Sequence, residues 1–213
     1  MRQPMPENLL ECTDCQRLAR HLAGIRRHHP DYHARPVLPF GAEKPGLLIV
    51  GLAPGLHGAN ATGRPFTGDY AGILLYRTLF EFGFSNQSEA TSLDDGLRLS
   101  NCRITNAVKC LPPENKPTGA EVRTCNQYLV REIDQLRAGA VVLALGTIAH
   151  GAVVRALSCR LRDFPFGHGA EHRLPGERVL VDSYHCSRYN TQTKRLTEDM
   201  FRAVFQQIVK LLK

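Results

Sequence analysis

The chain has 213 residues, its 27 Lys and Arg exceed its 20 Asp and Glu by a formal charge of +7, and its apolar runs all fall short of the roughly 18 residues that a membrane span needs. The N-terminus, MRQPMPENLLEC, lacks the apolar core of a signal peptide, and seven cysteines are an odd number in a chain long enough to bury its own core; the expectation is a soluble, cytoplasmic, monomeric protein with reduced thiols and no membrane partner. The positive balance suits a polyanion such as nucleic acid, and equally a solvated basic surface with no partner.

In chain order, a helix is expected from about Cys12 to His28. The apolar run LLIVGLA from Leu47 then reads as a strand buried on both faces, and it opens into GLAPGLHGANATGRPFTGDYAG, with six glycines between Gly51 and Gly72. A helix starts near Tyr70, and GFSNQSEATSLDDGLRLSN reads as a long surface excursion. A second strand, RITNAVKC from Arg103, runs into LPPENKPT, where Lys109 and Lys116 are expected to point outward. In the helix that follows, Thr118 and Glu121 form a capping box and Gly139 marks the stop. The strand AVVLALG from Ala140 leads through Gly146 and Thr147 into another helix, and the strand RVLVDSYH from Arg178 leads into HCSRYN. Thr197 N-caps the last helix, whose Phe201, Val204, Phe205, Ile208 and Leu212 share one face that reads as core. Strands alternating with helices predict one α/β domain over residues 1–213, with a four-stranded parallel sheet covered on both sides.

Ligands bind beyond the carboxyl ends of such strands, so the glycine-rich loop, Asn106 with Cys110, Gly146 with Thr147, and HCSRYN are expected to meet at one crevice. The loop is no Walker phosphate loop, because Arg64 and Pro65 follow Gly63 where Lys and Ser or Thr are needed. The dinucleotide pattern is missing too: Gly51 and Gly55 are four apart with Pro54 between them. What the loop offers is close backbone at Gly51 and Gly55, side chains at His57 and Asn60, an aromatic at Phe66 and a lone carboxylate at Asp69. That set suits a flat heterocycle stacked on Phe66; the alternatives are that Phe66 is core and that Asp69 caps the helix at Tyr70. Cys12 and Cys15 form a CxxC, Cys110 follows after 94 residues and Cys125 after 14 more. Two separated pairs fit either zinc or iron-sulfur, the wide second pair favouring iron-sulfur, and a structural role suits them better than a redox one. Cys102, Cys159 and Cys186 are left as buried thiols.

GLAPGLHGANATGRPFTGD, TNAVKCLPPENKPT and HCSRYNTQTKRLT, in this order and with the four cysteines, resemble the signature segments of the uracil-DNA glycosylase superfamily, and within it family 5, the B-type enzymes. The resemblance spans roughly Cys12 to Thr197. It implies a three-layer α/β/α sandwich and a DNA repair activity: hydrolysis of the N-glycosidic bond of uracil in DNA, extending to hypoxanthine and xanthine, by a monofunctional glycosylase that leaves an abasic site. It also implies a structural 4Fe-4S cluster on Cys12, Cys15, Cys110 and Cys125. Other branches of the superfamily place a carboxylate at the position of Leu52 or Ala53; both are apolar here, which leaves Asp69 as the nearest acid. Many relatives have proline after the histidine of the last motif, where Cys186 stands.

A base stacked in duplex DNA has to be flipped out before side chains can reach it, at a few kcal/mol. Tyr189 matches the family's wedge position. Phe66 would stack on the base, Asn106 would read its edge, and Gly51, Ala53 and His57 would complete the base site. His185 would donate to the base oxygen as negative charge develops, with Asp69 favouring the cationic sugar or orienting water. Arg64, Lys116, Ser187, Arg188 and the amides of Gly146 and Thr147 would hold DNA phosphates. Two rival readings stand beside this one: a DNA-binding module whose cysteines hold zinc, and an iron-sulfur redox protein.

Overall fold

The computed structural model describes residues 9–213. Its elements are α1 (Gln16–His28), β1 (Phe40–Gly41), β2 (Leu47–Gly51), α2 (Ala59–Thr62), α3 (Tyr70–Glu81), β3 (Cys102–Asn106), α4 (Gly119–Asp134), β4 (Val141–Leu145), α5 (Thr147–Ala156), β5 (Glu171–Leu174), β6 (Arg178–Ser183), α6 (Arg188–Gln192) and α7 (Glu198–Leu211). Helix α1 begins after Cys15 rather than at Cys12, because both cysteines sit in the irregular turn that precedes it.

The sheet runs β1-β3-β2-β4-β6-β5. Its four central strands are parallel, as expected, but the sheet has six strands and not four: β1 and β5 add antiparallel edges. Both edges are short, and β5 is made of Glu171, His172, Arg173 and Leu174, because a strand open to solvent on one side needs no continuous apolar run. On the central strands, alternate side chains supply two cores. Leu48, Val50, Val142, Ala144 and Leu180 face α1, α4 and α5; Leu47, Ile49, Val141, Leu143 and Val181 lie under α3 and α7. The result is the three-layer α/β/α sandwich.

Local chemistry fixes the helix starts. Thr118 Oγ1 accepts from Glu121 N at 3.2 Å while Glu121 accepts from Thr118 N at 2.8 Å, which closes the capping box of α4. Thr197 caps α7 by accepting from Met200 N at 3.2 Å, and Phe201, Val204, Phe205 and Ile208 are all buried, each stabilising the fold by about 1.5–3 kcal/mol. The surface excursion is anchored rather than free. Asp95 takes both ends of the Arg64 guanidinium, at 2.9 and 2.5 Å, and also accepts from the amides of Thr91 and Leu97.

Register levels the functional ends. Gly51 pairs with Asn106 across β2 and β3, and Leu145 pairs with Ser183 across β4 and β6. The loops that leave these four residues therefore share one edge of the sheet.

Candidate active site

At that edge lies a cavity of about 470 Å³ whose wall includes Ala53, Gly55, Phe66, Asp69, Asn106, Gly146, Thr147, His185 and Ser187. The expected convergence of the glycine-rich loop, Asn106, Gly146 and the HCSRYN segment is thus what the fold produces. Gly51 lies beneath the cavity: a Cβ built there would meet Phe66 Cζ at 2.7 Å and Asn106 Oδ1 closer still. The bare backbone of the loop is there to let an aromatic ring and an amide approach.

Phe66 is 5% exposed and holds φ at +56°. Two neighbours fix that conformation. Tyr76 donates to the Pro65 carbonyl at 2.8 Å, and Gly72, having no side chain, admits the Phe66 carbonyl against it. The Phe66 ring faces the His185 ring with centroids 6.0 Å apart and planes 26° off parallel. Asn106 is 4% exposed, and its Oδ1 has no hydrogen-bond partner in the protein. A buried amide oxygen left unpaired costs about 1–3 kcal/mol, and this one belongs to a residue of the cavity wall.

His185 follows β6, and its carbonyl accepts from Asn190 Nδ2 at 2.8 Å. Enclosure by the cavity walls pushes its imidazole down to about 4, since a charged ring would be stripped of water. It is therefore neutral at ordinary pH and carries one N–H. Asp69 does two things. Its Oδ1 N-caps α3 by accepting from Gly72 N at 2.9 Å, while the carboxylate also lines the cavity. Burial holds its pKa above the usual carboxylate value, with the amides of Gly72 and Ala71 offsetting only part of the rise.

Three expectations need correction. Arg64 is 1% exposed and tied to Asp95, so no free guanidinium is left for phosphate. His57 lies outside the cavity wall, bonded through Nδ1 to Tyr32 Oη at 2.8 Å, and does not face a base. Lys109 points inward: its ammonium is buried against Thr105 and Glu132, the latter at 2.7 Å. Lys116 is exposed, with Glu114 3.3 Å away. Arg188 lies over the Tyr70 ring at 5.8 Å, and Tyr189 is 71% exposed at the start of α6, whose N-cap is Ser187. Sequence reasoning missed Phe166, Tyr184, Asn115 and Arg195 on the cavity wall. Tyr184 could have been found, as it immediately precedes His185.

A second small cavity, lined by Cys12, Cys15, Cys110 and Cys125, sits between α1, the end of β3 and α4. All four thiols are free, and the Lys109 amide donates to Cys125 Sγ at 3.3 Å. Burial, then the nearby charges of Cys125 and Cys12, push the Cys15 thiol up to about 12. Four cysteine side chains are gathered at one place from three separate segments of the chain. Arg17 reinforces the junction by gripping Glu121 with two bonds of 2.7 Å, joining α1 to α4.

Among the described residues no helix is long and apolar enough to cross a membrane. A model of the uracil DNA glycosylase superfamily matches residues 38–209. The type-5 uracil-DNA glycosylase of Thermus thermophilus is 44% identical over 99% of this chain and 98% of its own length. That of Pyrobaculum aerophilum is 40% identical over 93% of this chain and 88% of its own. The crystal structure of Pedobacter heparinus SMUG2 aligns with a TM-score of 0.50 over 79% of this chain and 76% of that one, at 14% identity, a likeness of fold alone. With the signature segments gathered at one cavity and near-complete alignment to such relatives, the chain belongs to the uracil-DNA glycosylase superfamily and, within it, to the type-5 branch.

Proposed function

We propose that the cavity takes a uracil flipped out of DNA and that Phe66, Asn106, His185 and Asp69 divide the work of cutting its bond to deoxyribose. The observation that carries this reading is the unpartnered Oδ1 of Asn106, buried beside an aromatic shelf and a neutral imidazole. The imide N–H of uracil is the donor that oxygen lacks, and the amide NH₂ can reach an adjacent carbonyl. Phe66 stacks on the base. As the N-glycosidic bond breaks, its electron pair passes to the base, and the His185 N–H stabilises the resulting anion more than it does the neutral ground state. Positive charge on the sugar is favoured by the Asp69 carboxylate, which also orients water toward the anomeric carbon. Water supplies the oxygen that bonds there, and the products are free uracil and an abasic site.

Tyr189 fills the gap in the duplex, consistent with its exposure. Ser187, Arg188, Lys116 and the amides of Gly146 and Thr147 hold the phosphates, helped by the net charge of +7. The thiolates of Cys12, Cys15, Cys110 and Cys125 would hold a 4Fe-4S cluster, which would serve as a structural cross-link tying α1 to α4 and to the segment carrying Asn106. A cavity of about 470 Å³ also leaves room for hypoxanthine and xanthine. The enzyme acts as a monomer in the cytoplasm.

The test is release of free base from duplexes that each carry one deaminated base. Wild-type protein is expected to release uracil without added metal or nucleotide, and His185→Ala to lose about 10²- to 10³-fold in rate while keeping its fold. No uracil release by the wild-type protein would overturn the assignment. Iron and sulfide analysis, with gel filtration, tests the cluster and the monomer.

A further inference from the structure

Two buried side chains, His150 and Asp182, and the half-buried His172 form a trio outside the cavity wall. His150 on α5 presents both ring nitrogens to acceptors: Nδ1 is 2.8 Å from Asp182 Oδ1, and Nε2 is 2.9 Å from the carbonyl oxygen of Phe164. These two contacts tie α5 to β6 on one side and to the loop ahead of β5 on the other. His172 on β5 donates from Nε2 to the Pro165 carbonyl at 3.1 Å and lies 3.7 Å from Asp182 Oδ2, an oxygen with no hydrogen-bond partner. Two consecutive carbonyls, those of Phe164 and Pro165, are therefore gripped by two histidines that converge on one fully buried carboxylate. The main chain of Asp182 holds the other end of the same loop: its carbonyl accepts from Gly169 N at 2.8 Å, and its amide donates to the Ala170 carbonyl at 3.0 Å.

Between the two anchors lies Phe166. Its ring is 5.6 Å from that of His150 and 6.2 Å from that of Tyr184, and both Phe166 and Tyr184 form the cavity wall. His150, His172 and Asp182 do not line the cavity. We propose that Asp182, through His150 and His172, is a positioning residue that sets Phe166, and with it the width of the base pocket, so that a carboxylate out of reach of substrate governs how strictly uracil is preferred to a larger deaminated base. This rests on the reading that the cavity takes the base.

Asp182→Asn preserves size but replaces the carboxylate on which both histidines converge with a neutral amide. It is expected to lower the ratio of kcat/KM for uracil over hypoxanthine, measured in the same duplex, by about tenfold, the weight of one charge-assisted hydrogen bond, with the change falling on KM rather than kcat. His172→Leu is expected to shift the ratio the same way, and His172→Gln, which can still donate to Pro165, to restore it. Phe166→Ala should relax selectivity as well, and Asp182→Asn should add nothing on top of it. If Asp182→Asn does not fold, the two His172 variants decide. The proposal is overturned if folded variants keep the wild-type ratio, if the Asp182 and Phe166 effects add, or if metal analysis finds a stoichiometric divalent cation that Asp182→Asn abolishes, since the trio would then be a metal site and not an anchor for the loop. Failure of the wild-type protein to release uracil would fall on the reading of the cavity itself, whereas an unchanged ratio with release intact falls on the positioning role alone.

Discussion

A single methyl group at Gly51 probes the whole assembly. Gly51→Ala would place a Cβ 2.7 Å from Phe66 Cζ and 2.8 Å from Cε2, about 0.7 Å short of ordinary contact at 3.4 Å, and would crowd Asn106 Oδ1 still more. Both neighbours are walled in, at 5% and 4% exposure, so neither can swing clear into solvent. Forced repacking of this kind costs about 1–3 kcal/mol of stability, whereas displacing a reacting geometry by about 1 Å costs about 10²-fold in rate. The expected result is a melting temperature lowered by a few degrees together with uracil release slowed about a hundredfold in single-turnover assays on a uracil-containing duplex. Wild-type rates in a folded Gly51→Ala protein would refute the claim that Phe66 and Asn106 together hold the base.

Acidification gives a second test. His185 takes up its proton near pH 4 when folded and near 6.5 in the ordinary case, so on acidification the unfolded chain is protonated first. Native stability then falls between pH 6.5 and about 4 by at most about 3 kcal/mol, and the rate profile shows no inflection near 6.5; denaturant midpoints and initial rates across that range check both. Asp95→Ala strands the buried Arg64 charge and is expected to cost about 3–5 kcal/mol in denaturant melts. Tyr189→Ala should slow uracil release about tenfold from U:A pairs and less from U:G pairs, because the mispair has already lowered the few kcal/mol needed for flipping. Cys110→Ala should abolish bound iron and sulfide and lower the melting temperature, read by metal analysis and calorimetry.

The central strands were legible because burial on both faces makes each a continuous apolar run, and the strand-end residues followed from the parallel arrangement. Edge strands β1 and β5 were not, since a solvent-facing edge imposes no such pattern. Arg64 shows a second limit. Its position beside the glycine-rich loop invites a phosphate role, but its partner is Asp95, 31 residues on in an excursion with no periodic signal. Lys109 and His57 misled for the same reason, their partners Glu132 and Tyr32 being 23 and 25 residues away. Asp69 was legible as the cap of α3, the alternative weighed against a site role, and one oxygen serves Gly72 while the residue also lines the cavity. Phe166 escaped notice because it belongs to no strand end and reaches the cavity only through the loop that Asp182 anchors.

The left-handed backbone at Phe66 carries one more consequence. With its carbonyl lodged against Gly72 and the preceding carbonyl held by Tyr76, the ring cannot adjust its height to suit a visitor. In the proposed reading one side of the base slot is thus a fixed datum, and a base of different size has to be accommodated on the opposing side.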